Sequence, residues 1–169
     1  MSTITFQCNE AEKTILKAGL LEIITNHYFT TVRPNTNAKY ENEGEAVYRD
    51  RLGKLVNDRL CSFEETDEGM VVEFDSTEDA GFAIADEVYH TSMGYSDNGL
   101  TWIDPLFQSI VSRFPNIAFE ADTECADSWV YEESHYSYDG EVLTKDGEEL
   151  EDDPSASAVD SEEDSPENE

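Results

Sequence analysis

Positive charge is what this sequence has least of: ten Lys and Arg stand against forty Asp and Glu in 169 residues, for a formal net charge of −30. Binding DNA or RNA through phosphates requires cations that displace condensed counterions, so the composition argues against direct nucleic-acid binding and for basic protein partners. Long apolar runs are missing as well. No stretch approaches the length that spans a bilayer, and no charged leader with an apolar middle and a small-residue cleavage site opens the sequence. The reading is a soluble, unsecreted protein of the cytoplasm. Cysteine is scarce: Cys8, Cys61 and Cys125 are odd in number, widely spaced and without a CxxC pair. That spacing fits neither a disulfide framework nor a zinc site, and leaves buried thiols in a reducing compartment.

Catalytic signatures are also absent. HExxH, GxSxG, the P-loop and GxGxxG do not occur, and His27, His90 and His135 stand alone, with no Cys or carboxylate at ligand spacing on one predicted face. Carboxylates are so numerous that two close together do not mark an acid–base pair. No enzyme activity, metal or cofactor is expected.

What is present is enough apolar material for a core, 38% of the chain with 11% aromatic. The acids are distributed unevenly. Residues 1–59 balance eight acids with eight bases, residues 60–144 carry twenty acids against Arg113, and residues 145–169 carry twelve against Lys145. Adaptation to high salt would acidify the whole surface, whereas one balanced third implies a one-sided purpose, since self-repulsion on this scale lowers stability. From Glu148 onward only Leu150 and Val159 are sizeable apolar residues, too few to offset the entropy of ordering. The expected organisation is a single α+β domain over 1–145 and a disordered acidic tail over 146–169.

Periodicity places the elements. Thr3–Gln7 reads as a strand, and Asn9 with Glu12 three residues later forms a capping box that starts a helix. Leu20–Val32 mixes helical spacing with a β-rich HYFTTV end and fits either a continued helix or a second strand. A loop is expected over Arg33–Asn42. Tyr48, Leu52, Leu55 and Val56 form the apolar stripe of a helix over 45–60. A hairpin is expected across Asp67-Glu68-Gly69, flanked by Phe63 and Met70–Asp75. Ser76 with Asp79 reads as the cap of a helix over 77–90, and Asp104 as the cap of one with Pro105 in its first turn and Pro115 as its stop. Strands are expected over 117–122 and 129–138, with Asp139-Gly140 turning the chain back into Val142 and Leu143. The fold class is α+β, an antiparallel sheet with helices packed on one face.

Such a sheet explains how a folding chain tolerates its acids. On a strand from Ile117, the apolar Ile117, Phe119 and Ala121 share one face while Glu120 and Asp122 share the other, and Glu124 continues the row. The Met70 strand repeats this with Glu73 and Asp75. Side chains two apart on a strand stand about 6.8 Å apart, and successive phosphates of a nucleic-acid strand lie roughly 7 Å apart through space. The expected partner site is therefore a row of carboxylates that imitates a phosphate backbone: Glu73, Asp75, Glu120, Asp122 and Glu124, joined by Glu78, Asp79, Asp86, Glu87, Glu132 and Glu133. The partner would be a basic nucleic-acid-binding protein. Tyr131, Tyr136 and Tyr138 are candidates for interface anchors, with core packing the stronger assignment.

TWIDPLFQSIVSRFPNIAFEADTE followed by SWVYEESHYSYDGE, over residues 101–141, resembles the YubB-type ferredoxin-like domain family of plasmid and phage proteins. The resemblance is carried by Trp102, Pro105, Phe114-Pro115, the strand Ile117–Glu120, Trp129 and a hairpin with a Gly turn, about a quarter of the chain. It implies an α+β sandwich of mobile-element origin and supplies no catalytic residues. In composition and charge polarity the chain also resembles the DNA-mimic inhibitors that such elements direct against host defence, anti-restriction and anti-CRISPR proteins among them. That implies a partner within a host defence complex. The alternative of a different class is a chaperone-like protein whose acidic surface and tail shield a basic nucleic-acid-binding or structural protein.

Overall fold

In the computed structural model the described residues are 1–32, 43–90, 103–126 and 131–150. The expected loop at Arg33–Asn42, both tryptophans and the chain from residue 151 lie outside them.

The chain starts with strand β1 (Ser2–Gln7), whose alternation buries Ser2, Ile4 and Phe6. Helix α1 (Glu10–Thr31) follows from the capping box: the Asn9 side chain accepts from the Glu12 N–H at 2.9 Å, and Glu12 Oε1 accepts from the Asn9 N–H at 2.9 Å. Leu20–Thr31 thus resolves as helix, with Val32 its extended cap. Leu16, Leu20, Ile24 and Tyr28 recur at a spacing of four and are all buried, a tertiary gain that outweighs the β preference of the Thr-Thr-Val end. The helix stops where the Thr30 and Thr31 hydroxyls bond back to the His27 carbonyl, at 3.0 and 2.8 Å.

Helix α2 (Glu45–Leu55) buries Tyr48, Leu52 and Leu55, then widens into a π-helical turn over Val56–Leu60 that delivers the chain into strand β2 (Cys61–Glu65). A tight turn at Asp67-Glu68 joins β2 to β3 (Gly69–Phe74), closed by reciprocal bonds between Thr66 and Gly69. Helix α3 (Glu78–Glu87) is capped by Thr77, whose hydroxyl accepts from the Asp79 N–H at 3.3 Å. Ser76, the expected cap, is instead buried and bonds the Ser2 hydroxyl at 2.6 Å and the Glu124 carbonyl, tying β1 to β4. Helix α4 (Asp104–Arg113) is similarly displaced by one residue: Ile103 holds the cap position, and Asp104 sits inside the first turn. There its carboxylate favours the helix dipole and accepts from the Tyr136 hydroxyl and from Lys145 Nζ at 3.1 Å.

Strand β4 (Phe119–Ala126) begins two residues later than expected and runs further, pairing along its length with β5 (Tyr131–Tyr138). Asp139 accepts from the Glu141 and Val142 N–H groups, and Gly140 supplies the φ of +99° that the turn into β6 (Leu143–Lys145) requires. The sheet does not stop at Lys145. An Asp146-Gly147 turn leads into β7 (Glu148–Glu149), and the Leu150 N–H bonds the Leu143 carbonyl.

The seven strands lie in the order β2-β3-β1-β4-β5-β6-β7, antiparallel throughout. Strands β1 to β4 and their intervening helices follow the β-α-β-β-α-β split connectivity of a ferredoxin-like unit, here extended by β5 to β7. This ferredoxin-like unit spans far more of the chain than residues 101–141. Helices pack on the face made by Ile4, Phe6, Met70, Val72, Phe74, Phe119, Ala121, Cys125, Tyr136 and Tyr138. A Cβ at Gly19 of α1 would stand 2.4 Å from the Phe114 ring, so glycine there permits the close crossing with the end of α4. Among the described residues, no helix covers the opposite face, which is bare in that sense.

Candidate partner-binding face

Antiparallel register decides which side chains share the bare face. One row crosses it as Ser62, Glu73, Thr3, Asp122 and His135, from β2 to β5. The next runs Glu64, Val71, Thr5, Glu120, Ser137 and Thr144. A third pairs Glu124 with Glu133. The ladder along β4 is present as Glu120, Asp122 and Glu124, alternating with buried Phe119, Ala121, Thr123 and Cys125. Glu73 faces the same way two strands over, about 10 Å from Asp122 at ordinary strand spacing. A threonine stripe from β1 separates them.

The other sequence candidates fall elsewhere. Asp75 lies past the end of β3, and its carboxylate is committed to the turn, accepting from the Thr77 N–H at 2.9 Å and the Thr77 hydroxyl at 2.7 Å. Glu78, Asp79, Asp86 and Glu87 ride on α3, which packs against α2, and Glu87 pairs with Arg59. Glu132 and Glu133 are consecutive on a strand and so point to opposite faces. Glu133 joins Glu124, whereas Glu132 stands opposite Cys125 on the side where the helices pack. Of the tyrosines, Tyr136 and Tyr138 are core and Tyr131 is 61% exposed, its hydroxyl donating to Glu133 at 2.6 Å and Glu124 at 3.2 Å.

His135 does not stand alone. Its Nε2 lies 2.6 Å from Glu120 Oε1 and its Nδ1 2.9 Å from Asp122 Oδ1, so the ring spans two rungs of the ladder. Two carboxylates accept at both nitrogens only when both carry protons, and Asp122 first, then Glu120, raise the imidazole above its usual range. The strand register that makes this pairing is nonlocal. Scanning for short-range ligand spacing misses it; projecting the hairpin between β4 and β5 would have found it.

The remaining contacts hold the carboxylates ionised. The Ser137 hydroxyl, at 2.7 Å, and then His135 keep Glu120 below the ordinary range. The N-terminal amine, 3.2 Å away, and then Tyr131 do the same for Glu124. Among the described residues, His135 and the N-terminus are the cations that touch this face. No described group of His, Cys, Asp and Glu is arranged to hold a metal ion, and no described helix is long and apolar enough to cross a membrane. Burial pushes the Cys61 thiol up to about 12 and Cys125 to about 11, which leaves both protonated and unreactive at neutral pH. Comparison with protein-family models, curated proteins and solved structures finds no significant match.

Proposed function

We propose that this chain is an inhibitor that acts without chemistry, its bare sheet face occupying the nucleic-acid channel of a basic partner of the kind found in host defence complexes. The observation that carries the reading is the sheet face that no described helix covers, with Glu73, Glu120, Asp122, Glu124 and Glu133 exposed or half-buried on one surface. Carboxylates fixed on strands are already ordered, so a partner that grips phosphates does not have to freeze them. Charge of one sign over such an area steers encounter, and the resulting affinity falls with salt. A partner's Arg and Lys would meet oxygens at about the interval they meet along a phosphate backbone.

The test is capture from a host lysate at low and physiological salt by three forms. These are the intact chain, a chain ending at Leu150 so that β7 is kept, and one carrying Glu73→Gln, Glu120→Gln, Asp122→Asn and Glu124→Gln. Retention of one nucleic-acid-binding protein by the first two and its loss from the third supports the face as the site. If capture follows residues 151–169, or many basic proteins bind alike, the shielding role is the better account.

A further inference from the structure

A carboxylate face meets a basic partner with whatever cations it already holds, and strand register gives this one an imidazole at its centre. Asp122 of β4 stands opposite His135 of β5, and Glu120 is the next side chain along on the same face. Both reach one ring. Glu120 Oε1 lies 2.6 Å from Nε2 and Asp122 Oδ1 lies 2.9 Å from Nδ1. The backbone of His135 is fixed from the other side, its N–H donating to Asp146 Oδ1 at 2.9 Å and its carbonyl accepting from the Asp146 N–H at 2.7 Å. The clamp is nevertheless open to solvent: side-chain exposure is 46% for His135, 56% for Glu120 and 87% for Asp122. A partner's side chain can reach both carboxylates.

The other groups facing the ring are mostly acids. Glu124 of β4, Glu133 of β5 and Asp146, in the turn after β6, line the same cleft as His135 and Asp122. Toward β1 the row passes through uncharged Thr3 to Glu73. The Ser137 hydroxyl donates to the second Glu120 oxygen at 2.7 Å, and the Glu133 carboxylate holds the Tyr131 hydroxyl protonated. Two cations lie nearby. The N-terminal amine is held on Glu124 at 3.2 Å, and Lys145 is turned to the helical side, onto Asp104 at 3.1 Å.

A proton decides what the ring does in this setting. Doubly protonated, it donates to both carboxylates; neutral, it keeps one N–H and turns a lone pair toward the other carboxylate, a repulsive contact. We propose, on the reading that this face is the partner site, that His135 is its proton-gated counter-ion: a partner's guanidinium groups take Glu120 and Asp122 from the protonated ring, which releases its proton to solvent, so that capture strengthens as pH rises. In the free chain Asp122, then Glu120, raise the imidazole above its ordinary 6.5. A guanidinium keeps its charge throughout, and once it neutralises those carboxylates the main cause of the raised value is gone. Linkage fixes the sign. Binding that expels a proton is opposed by protons, and the opposition is lost as pH climbs through the raised folded value.

The test is an NMR titration of the intact ¹⁵N-labelled chain with an oligo-arginine peptide at fixed ionic strength, at two pH values that bracket the His135 midpoint measured without peptide. The Kd is read from the Glu120, Asp122 and Ser137 amides, so binding by residues 151–169 does not enter it, and the imidazole ¹⁵N signals report the charge on the ring. The Kd at the face should be about tenfold lower on the alkaline side, and the imidazole midpoint should fall when peptide saturates. His135→Gln keeps the N-terminal amine and the other histidines, and should bind near the alkaline Kd of the intact chain at both pH values. A midpoint unmoved by bound peptide, or the same pH dependence in His135→Gln, would overturn the gate and leave the face as the site. Amides of the face that show no saturable shift at either pH would overturn both the gate and the reading on which it rests.

Discussion

Strand β4 presents Phe119, Ala121, Thr123 and Cys125 to the helices and Glu120, Asp122 and Glu124 to solvent, so the two sides of one strand do different work. The covered side holds ring contacts such as Phe107 on Tyr136, with centroids 4.0 Å apart, and supplies the free energy of the fold. The bare side has little packing to lose, which is why a chain of net charge −30 can keep its acids there without breaking its core. The two histidines repeat the contrast. His27 is buried on the helical side with no hydrogen-bond partner for its Nε2 among the described residues, and His135 is exposed between two carboxylates on the sheet side.

If the division holds, the largest effects belong to the covered side. Phe107→Ala should cost about 3–5 kcal/mol in urea unfolding, because the ring packs against Phe119 and Tyr136 and leaves a cavity when removed. Next comes acid. Burial lowers His27 from 6.5 to about 4, so between those values the unfolded chain binds a proton that the folded chain refuses. The His27 contribution to stability should therefore fall by about 3 kcal/mol as pH drops from 7 to 4, read in urea titrations across the range as the difference between the intact chain and His27→Gln.

His135 carries the opposite sign. Its folded pKa is raised, so its contribution is complete below about 6.5 and is lost as pH climbs through the folded value. Stability curves of the intact chain and of His135→Gln should converge at high pH, separate as pH falls through the raised folded value and stay apart below about 6.5, by less than the His27 effect because the ring is exposed. The smallest change in stability is expected from Glu73→Gln, within about 0.5 kcal/mol of the parent, while the same substitution weakens partner capture at low salt. A large loss of stability there would mean that the bare face also holds the fold together.

Local signals made much of this fold legible. The Asn9–Glu12 box, the four-residue spacing in α1, the Pro105 start of α4 and the alternation of β4 are each written within a few residues, and each appears in the structure. Caps misplaced by one residue mark where tertiary contacts outbid local chemistry: Ser76 bonds Ser2 and Glu124, and Asp104 bonds Tyr136 and Lys145. The candidate face was legible only along single strands. Which strand lies beside which, and so that Glu73 shares a row with Asp122 and His135, depends on pairings far apart in sequence. Strand parity separates Glu132 from Glu133, but it could not reveal that Asp75 ends its strand and turns its carboxylate onto Thr77.

The central claim is that the bare face competes with nucleic acid for a basic partner. The most direct measurement is the displacement of labelled nucleic acid from the captured partner by the intact chain and by the Glu73, Glu120, Asp122 and Glu124 variant, at two salt concentrations. Displacement by the intact chain that weakens with salt and is lost in the variant is the expected result. Equal displacement by both forms, or a ternary complex in which the partner holds the chain and nucleic acid together, would contradict it.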